Sequence, residues 1–184
     1  EWLGEIPEHW GVQKLKYIAK IQLSNVDKHT KSNEVSVKLC NYTDVYYRNN
    51  ITNDIKFMSA TATKEQVKKF TLEADDVLLT KDSEAYDDIA IPAYVPETLN
   101  NVICGYHLAH IKPYLISGSY LFYAFQVPNI AYQFQIGANG ITRYALGKNI
   151  ISSSIFIIPP REEQKQIVEF LDRKTEEIDR AIAH

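Results

Sequence analysis

Pro159-Pro160-Arg161-Glu162-Glu163-Gln164 runs into Ile167-Val168-Glu169-Phe170-Leu171-Asp172 and on to Ile178-Asp179 and Ile182. This stretch decides the architecture. Two prolines punctuate the chain, and Pro160 suits the first turn of a helix, where no N–H is needed. Glu162 and Glu163 then lie at the positive end of the helix dipole. Val168, Leu171, Thr175, Ile178 and Ile182 step by 3, 4, 3 and 4, the a/d seam of a coiled coil. Ile167 and Phe170 widen the stripe toward a globular body. A helix is expected over Arg161–His184, about 36 Å long by its rise per residue. It either packs along its own domain or projects and pairs with another helix. The seam favours pairing.

Upstream, the elements are short and no internal repeat is evident. Val35–Cys40 alternates and is β-branched, so it reads as a strand. Val77–Thr80, Ile89–Ile91, Val102–Cys104, Leu108–Lys112 and Ile155–Ile158 read likewise. Gly11–Leu23 mixes a short helical pattern (Leu15, Ile18, Ala19) with an extended exit. Asn49-Asn50 and Asn53-Asp54 are turn chemistry. Thr63–Phe70 is a short helix, with Thr63 as N-cap and Gln66 in the capping-box position. Ser119–Gln126 and Asn129–Gln135 are helical in composition, and Pro128 between them suggests a hairpin closed by Gly137-Ala138-Asn139-Gly140.

With 184 residues, 45% hydrophobic and 23% charged, the chain suits one domain with a real core. Its apolar runs fall far short of a membrane span of about 20 residues. It opens Glu1-Trp2-Leu3-Gly4, with neither an initiator Met nor a secretory leader, so a piece of a larger chain is expected. Cys40 and Cys104 form no CxxC pair and lie in apolar surroundings, as buried free thiols of a reducing cytosol would.

Net charge is −3, but its distribution is uneven. Seven acids crowd Glu73–Asp88 against one base, Lys81. No acid occurs in the 63 residues from Thr98 to Pro160, which carry His107, His110, Lys112, Arg143 and Lys148. Without the acidic window and the terminal helix, 14 bases face 9 acids. A mildly basic body of this kind suits phosphate contacts. The alternative is that the acid-free stretch is simply buried and aromatic.

Familiar catalytic motifs are absent: there is no GxGxxG, Walker loop, HExxH or GxSxG. His107 and His110 are three apart on an expected strand and point to opposite faces, so they share no metal. The acidic cluster matches no calcium loop. The Glu163-Gln164-Lys165 and Asp172-Arg173-Lys174 tripeptides fit half a nuclease site only by chance. No metal, cofactor or catalytic residue is expected.

Ile6-Pro7-Glu8-His9-Trp10 with Lys14-Leu15, Asn41-Tyr42-Thr43-Asp44-Val45 and Asp76–Ser83 follow one another in a telling order. Cys104-Gly105-Tyr106-His107-Leu108-Ala109, Gly140-Ile141-Thr142-Arg143 and the Pro159–Gln164 helix start continue it. Together they resemble a target recognition domain from the specificity subunit of a type I restriction-modification enzyme, over essentially the whole chain. That resemblance implies an α+β fold: an irregular β-rich body with an α-hairpin, followed by a long C-terminal helix that pairs as a coiled coil. Residues 1–158 would be the DNA recognition domain and 159–184 the first part of the helical spacer. Family members hold two recognition domains, each reading half of a bipartite target, whereas this chain holds one. It is then a truncated half or a half that must dimerise. The implied partners are double-stranded DNA, the methyltransferase (modification) subunit, the motor-nuclease (restriction) subunit through the complex, and a second recognition domain or second copy. The chain itself is expected to be non-catalytic and cytoplasmic. The alternative is an interaction or dimerisation module that reads no DNA.

Base reading needs side chains at base edges, with phosphate contacts setting the register. The loop Gly137–Lys148 is the first candidate, with Asn139, Thr142, Arg143, Tyr144 and Lys148. Arg143 can hold a guanine, clamp a phosphate or make a surface ion pair. Asn139 can read adenine. Lys81 and Ser83, in a polar loop after a strand, are the second candidate, although Lys81 could simply offset Asp82 and Glu84. Tyr106 and His107 follow Gly105 and could line the same surface, with Tyr106 equally suited to the core. Lys14, Lys16, Lys64, Lys68 and Lys69 are phosphate contacts or merely solvated. Val168, Leu171, Thr175, Ile178 and Ile182 are the helix-pairing residues.

Overall fold

The structure, a computed structural model, describes residues 5–182. Its elements begin with β1 (Gly11–Lys14), a 3-10 turn at Leu15–Tyr17, β2 (Ala19–Leu23), β3 (Val35–Cys40), α1 (Tyr42–Tyr46), β4 (Met58–Ala62) and α2 (Lys64–Phe70). The middle of the chain gives β5 (Thr71–Leu72), β6 (Val77–Thr80), β7 (Asp82–Ser83), β8 (Pro92–Tyr94), β9 (Leu99–Cys104) and β10 (Leu108–Pro113). There follow α3 (Gly118–Phe125), α4 (Pro128–Gly137), β11 (Tyr144–Ala145), α5 (Lys148–Ser153), β12 (Ile155–Ile158) and α6 (Arg161–Ile182).

Strand β6 is apolar at successive positions because it is buried on both faces. Side chains alternate along a strand. Val77 and Leu79 therefore enter a core shared with α3, α4 and α5, while Leu78 enters a second core. The same split runs along β10, with Ala109 and Ile111 on one side and Leu108 on the other. The sheet between the cores has the order β2-β10-β6-β8 and is antiparallel throughout. The second core is closed by a β4-β3-β9-β5 sheet, in which β3 and β9 are parallel. Cys40 and Cys104 are register partners there, both free and fully buried, and burial pushes both thiols up.

Local chemistry explains the boundaries. Thr63 caps α2 as expected: Gln66 N donates to its Oγ1 at 3.2 Å, and Thr63 N donates to Gln66 Oε1 at 3.0 Å. Pro128 opens α4 as its first residue, and Phe125 meets Phe134 with ring centroids 5.6 Å apart. Two expectations shift. Gly11–Leu23 forms two strands around a single 3-10 turn. Ile89–Ile91 is not a strand, because Ala90 has φ +62° and breaks the extended run; pairing resumes at Pro92–Tyr94.

Helix α6 answers its two alternatives in different halves. Ile167 and Val168 pack against the first core. Gln164 is buried; its Oε1 accepts from Ser117 N at 2.9 Å, and its Nε2 donates to Pro159 O at 2.8 Å. Tyr123 Oη donates to Asp172. Beyond that point Thr175, Ile178 and Ile182 are exposed, and Leu171 is half-buried. The expected last residues of the helix, Ala183 and His184, lie outside the described residues.

The body is closed by its ends. Strand β1 pairs antiparallel with β12, and Trp10 Nε1 donates to Glu163 Oε2 at 2.8 Å. His9 contacts the other oxygen at 2.8 Å. The bond from Trp10, then that from His9, holds the Glu163 carboxyl below its usual range.

A buried ionic knot crosses the central sheet. Asp76 Oδ2 lies 2.6 Å from His110 Nε2 and 3.3 Å from Lys112 Nζ, and accepts from Glu73 N at 2.8 Å. Removing one partner of a buried pair leaves the others uncompensated. Asp76→Ala should therefore cost about 3–5 kcal/mol, read as a lower urea midpoint with an unchanged slope.

Candidate nucleic-acid interface

Asn139 and Ala145 exchange backbone hydrogen bonds of 3.2 and 2.9 Å and close a narrow loop. Gly140 makes the reversal possible. Its φ is +154°, and a Cβ there would stand 1.9 Å from Arg143 O. Ile141, Thr142 and Arg143 form the tip, all exposed, with Ile141 at 95%.

The loop is stitched to the second candidate segment. Tyr144 pairs with Ser83 and Ala145 with Asp82, joining β11 to β7, and Leu146 N donates to Lys81 O at 2.8 Å. The third segment joins there too. Lys81 N donates to His107 O at 3.2 Å, and His107 Nδ1 lies 2.7 Å from Asp82 Oδ2. Lys81 Nζ reaches the same oxygen at 3.1 Å and sits 4.8 Å from the Tyr106 ring centroid. The Asp82 carboxylate thus ties the second segment to the third, while backbone pairing ties the second to the loop.

Within this surface the individual residues differ. Arg143 makes no ion pair or side-chain hydrogen bond with any described residue, so the surface ion pair drops out as an account of it. Tyr106 is half exposed and is not a core residue. Tyr144 is half-buried and meets Tyr86 edge-on. Asn139 is exposed, but its Nδ2 donates to Gly137 O at 2.8 Å. Lys148 starts α5, outside the tight loop, and its side chain is exposed without a partner among the described residues. Ser83 departs from expectation. It is buried, and its Oγ accepts from Ala85 N at 3.2 Å, because the β7–β11 pairing turns it inward.

The sequence reading missed helix α1. Tyr42 and Tyr46 stack with centroids 5.4 Å apart, and Tyr47 meets Tyr46 edge-on at 4.8 Å. With Asp82, Asp88 and Arg143 they line a cleft of about 430 Å³. Tyr46 Oη donates to Asp88 at 2.7 Å, and that bond pushes its pKa up to about 12. Burial, then Asp88, raises that of Tyr42, with Arg143 opposing. The signal was present: Asn41 and Asp44 have cap spacing, and tyrosines recur four apart. Asn41 N does donate to Asp44 Oδ2 at 2.8 Å.

Charge is arranged differently from the linear count. Most basic side chains of the acid-free stretch face the acidic window: Lys112 meets Glu73 at 2.9 Å, His110 meets Asp76 and His107 meets Asp82. In that stretch Arg143 and Lys148 have no ion-pair partner among the described residues. Among the described residues no three His, Cys, Asp or Glu side chains gather to hold a metal ion, and no helix is long and apolar enough to cross a membrane.

A β-rich body that gathers loops at one edge and carries a long helix defines a recognition module on a helical stalk. The sequence matches the type I restriction modification DNA specificity domain over residues 7–183, and the chain belongs to that family. No curated protein sequence matches it. Its fold is similar to a chain from a study of complex assembly and conformational transition in the type I R-M system. That match has a TM-score of 0.70 at 14% identity and covers 97% of this chain and 41% of the other. The HsdS subunit of Thermoanaerobacter tengcongensis matches at TM-score 0.62 and 15% identity, over 96% of this chain and 40% of that one. The type I S subunit of M. genitalium matches at 0.55 and 11%, over 97% and 43%. The chain therefore spans about two fifths of each of these solved chains.

Gly140→Ala should place strain of about 1–3 kcal/mol in the loop alone. Hydrogen exchange at the Asn139 and Ala145 amides should speed up at least about tenfold, with the β6 and β10 amides unchanged.

Proposed function

We propose that this chain reads one half of a bipartite duplex target for a type I restriction-modification complex. The observation that carries the reading is the convergence of three predicted segments on one surface around an unpaired Arg143. Residues 1–158 serve as the recognition domain, and 159–184 begin the helical spacer. Arg143 is the base-edge donor, with Thr142, Tyr144, Asn139, Tyr106 and His107 around it. Lys81, partly spent on Asp82, and Lys148 supply the phosphate register. Tyr42, Tyr46 and Tyr47 extend the surface. Ser83 supports the turn. Cleavage and methylation belong to partner subunits in this reading, and the complex acts in the cytoplasm, where its DNA lies.

The exposed half of α6 supports a second role compatible with the first. Thr175, Ile178 and Ile182 present their apolar seam to a second recognition domain, a second copy or the modification subunit, and through that assembly to the restriction subunit.

Duplex selection from a randomised pool, with salt raised stepwise, tests the first role. Arg143→Ala should lose about 1–3 kcal/mol and relax one base position. Equal loss on every sequence would make Arg143 a phosphate contact. Lys148→Ala should weaken all sequences alike and lower the salt slope by about 1. For the second role, Ile178→Asp should abolish self-association and capture of the modification subunit, monitored by light scattering and co-purification, while the thermal transition of the body stays in place. Survival of both would reduce the seam to a solvent face.

A further inference from the structure

Ile141 has no evident task in the fold. It is the most exposed large apolar side chain among the described residues, at 95%, and it contributes to neither core. A single exposed isoleucine is unremarkable in itself. Its setting is specific, however. It stands at the tip of a loop whose shape depends on Gly140, two positions before the unpaired Arg143 and beside the exposed Thr142. The loop base is two chains wide, bridged at Asn139 and Ala145.

Building on the DNA-reading role, we propose that Ile141 is a specificity residue that packs against the C5-methyl group of a thymine in the major groove. A two-chain ribbon fits the roughly 12 Å major groove and not the roughly 6 Å minor groove. Among the edges displayed there, the thymine methyl is the apolar one. Isoleucine has no donor or acceptor, so no other base edge rewards its approach. Residues two apart on a bent tip lie about 5–7 Å from each other, or one to two base-pair steps. The half-site therefore contains a thymine within two steps of the base held by Arg143.

The test uses two randomised duplex pools, one amplified with thymidine and one with deoxyuridine, which differ only in the methyl. Wild-type chain should enrich a motif from the first pool and lose preference at one thymine position in the second, by about fourfold, the effect of burying one methylene-sized group. Ile141→Ala should lose the same preference in the thymidine pool and be indifferent to the deoxyuridine exchange. Because the side chain lies outside both cores, its melting temperature should match wild type. Enrichment identical in both pools, with Ile141→Ala unchanged, would overturn the methyl contact and leave DNA reading intact. Uniform weakening of all sequences by Ile141→Ala would overturn it in favour of a wedge or general contact. Unchanged selection by Ile141→Ala with lost capture of the modification subunit would overturn it in favour of a protein contact. A wild-type chain that binds neither pool at any salt would remove the DNA-reading role and this proposal with it.

Discussion

The Asp82 carboxylate is the point on which the recognition surface depends. Burying a carboxylate is costly unless it is paired and hydrogen-bonded. Asp82 meets that condition with its chain neighbour Lys81 and with His107, which belongs to a different segment. The backbone bonds from Lys81 to His107 and to Leu146 run beside the ionic ones. Three loops are therefore held by one charge-assisted cluster and by strands of only two residues each. Short strands alone have too few ladder bonds to set such a surface, and the cluster supplies the remainder.

The same logic operates under the central sheet, where Asp76 gathers His110 and Lys112. Two acids of the linear acidic window, Asp76 and Asp82, thus sit beneath the surface, while Glu73, Glu84 and Asp87 are exposed. Within the acid-free stretch, Arg143 and Lys148 are the cations without an ion-pair partner among the described residues.

Much of the fold was legible because local chemistry and period agree at those positions. Val35–Cys40 and Val77–Thr80 carry unambiguous strand patterns, Thr63 and Gln66 make a cap, and Pro128 marks the junction of two helices. The misses share a cause. The Ile89–Ile91 segment is apolar enough for a strand, but a left-handed Ala90 overrides its propensity. Helix α1 is a single turn of β-prone tyrosines, made stable by its cap and by packing. At the site, Arg143, Lys81 and His107 were named separately, yet nothing in a linear chain says that β7 pairs with β11. That pairing both unites the candidates and turns Ser83 inward, so the convergence and the one misplaced residue have the same origin. Helix α6 was legible as a helix. How its seam divides between its own body and solvent depends on α3, a long-range neighbour.

The β1–β12 pairing and the Trp10–Glu163 bond bring the first and last strands of the body side by side. A body whose entrance and exit coincide behaves mechanically like a bead on a clasp. The connecting backbone sees the same two attachment points whatever the loops at the far edge contain. Insertions, deletions or wholesale replacement at the reading edge leave the direction of the helical stalk unaltered. Rotational register between stalk and body is set at the clasp and where the first half of α6 packs on α3. A body built this way can be exchanged at its far edge without moving its two attachment points.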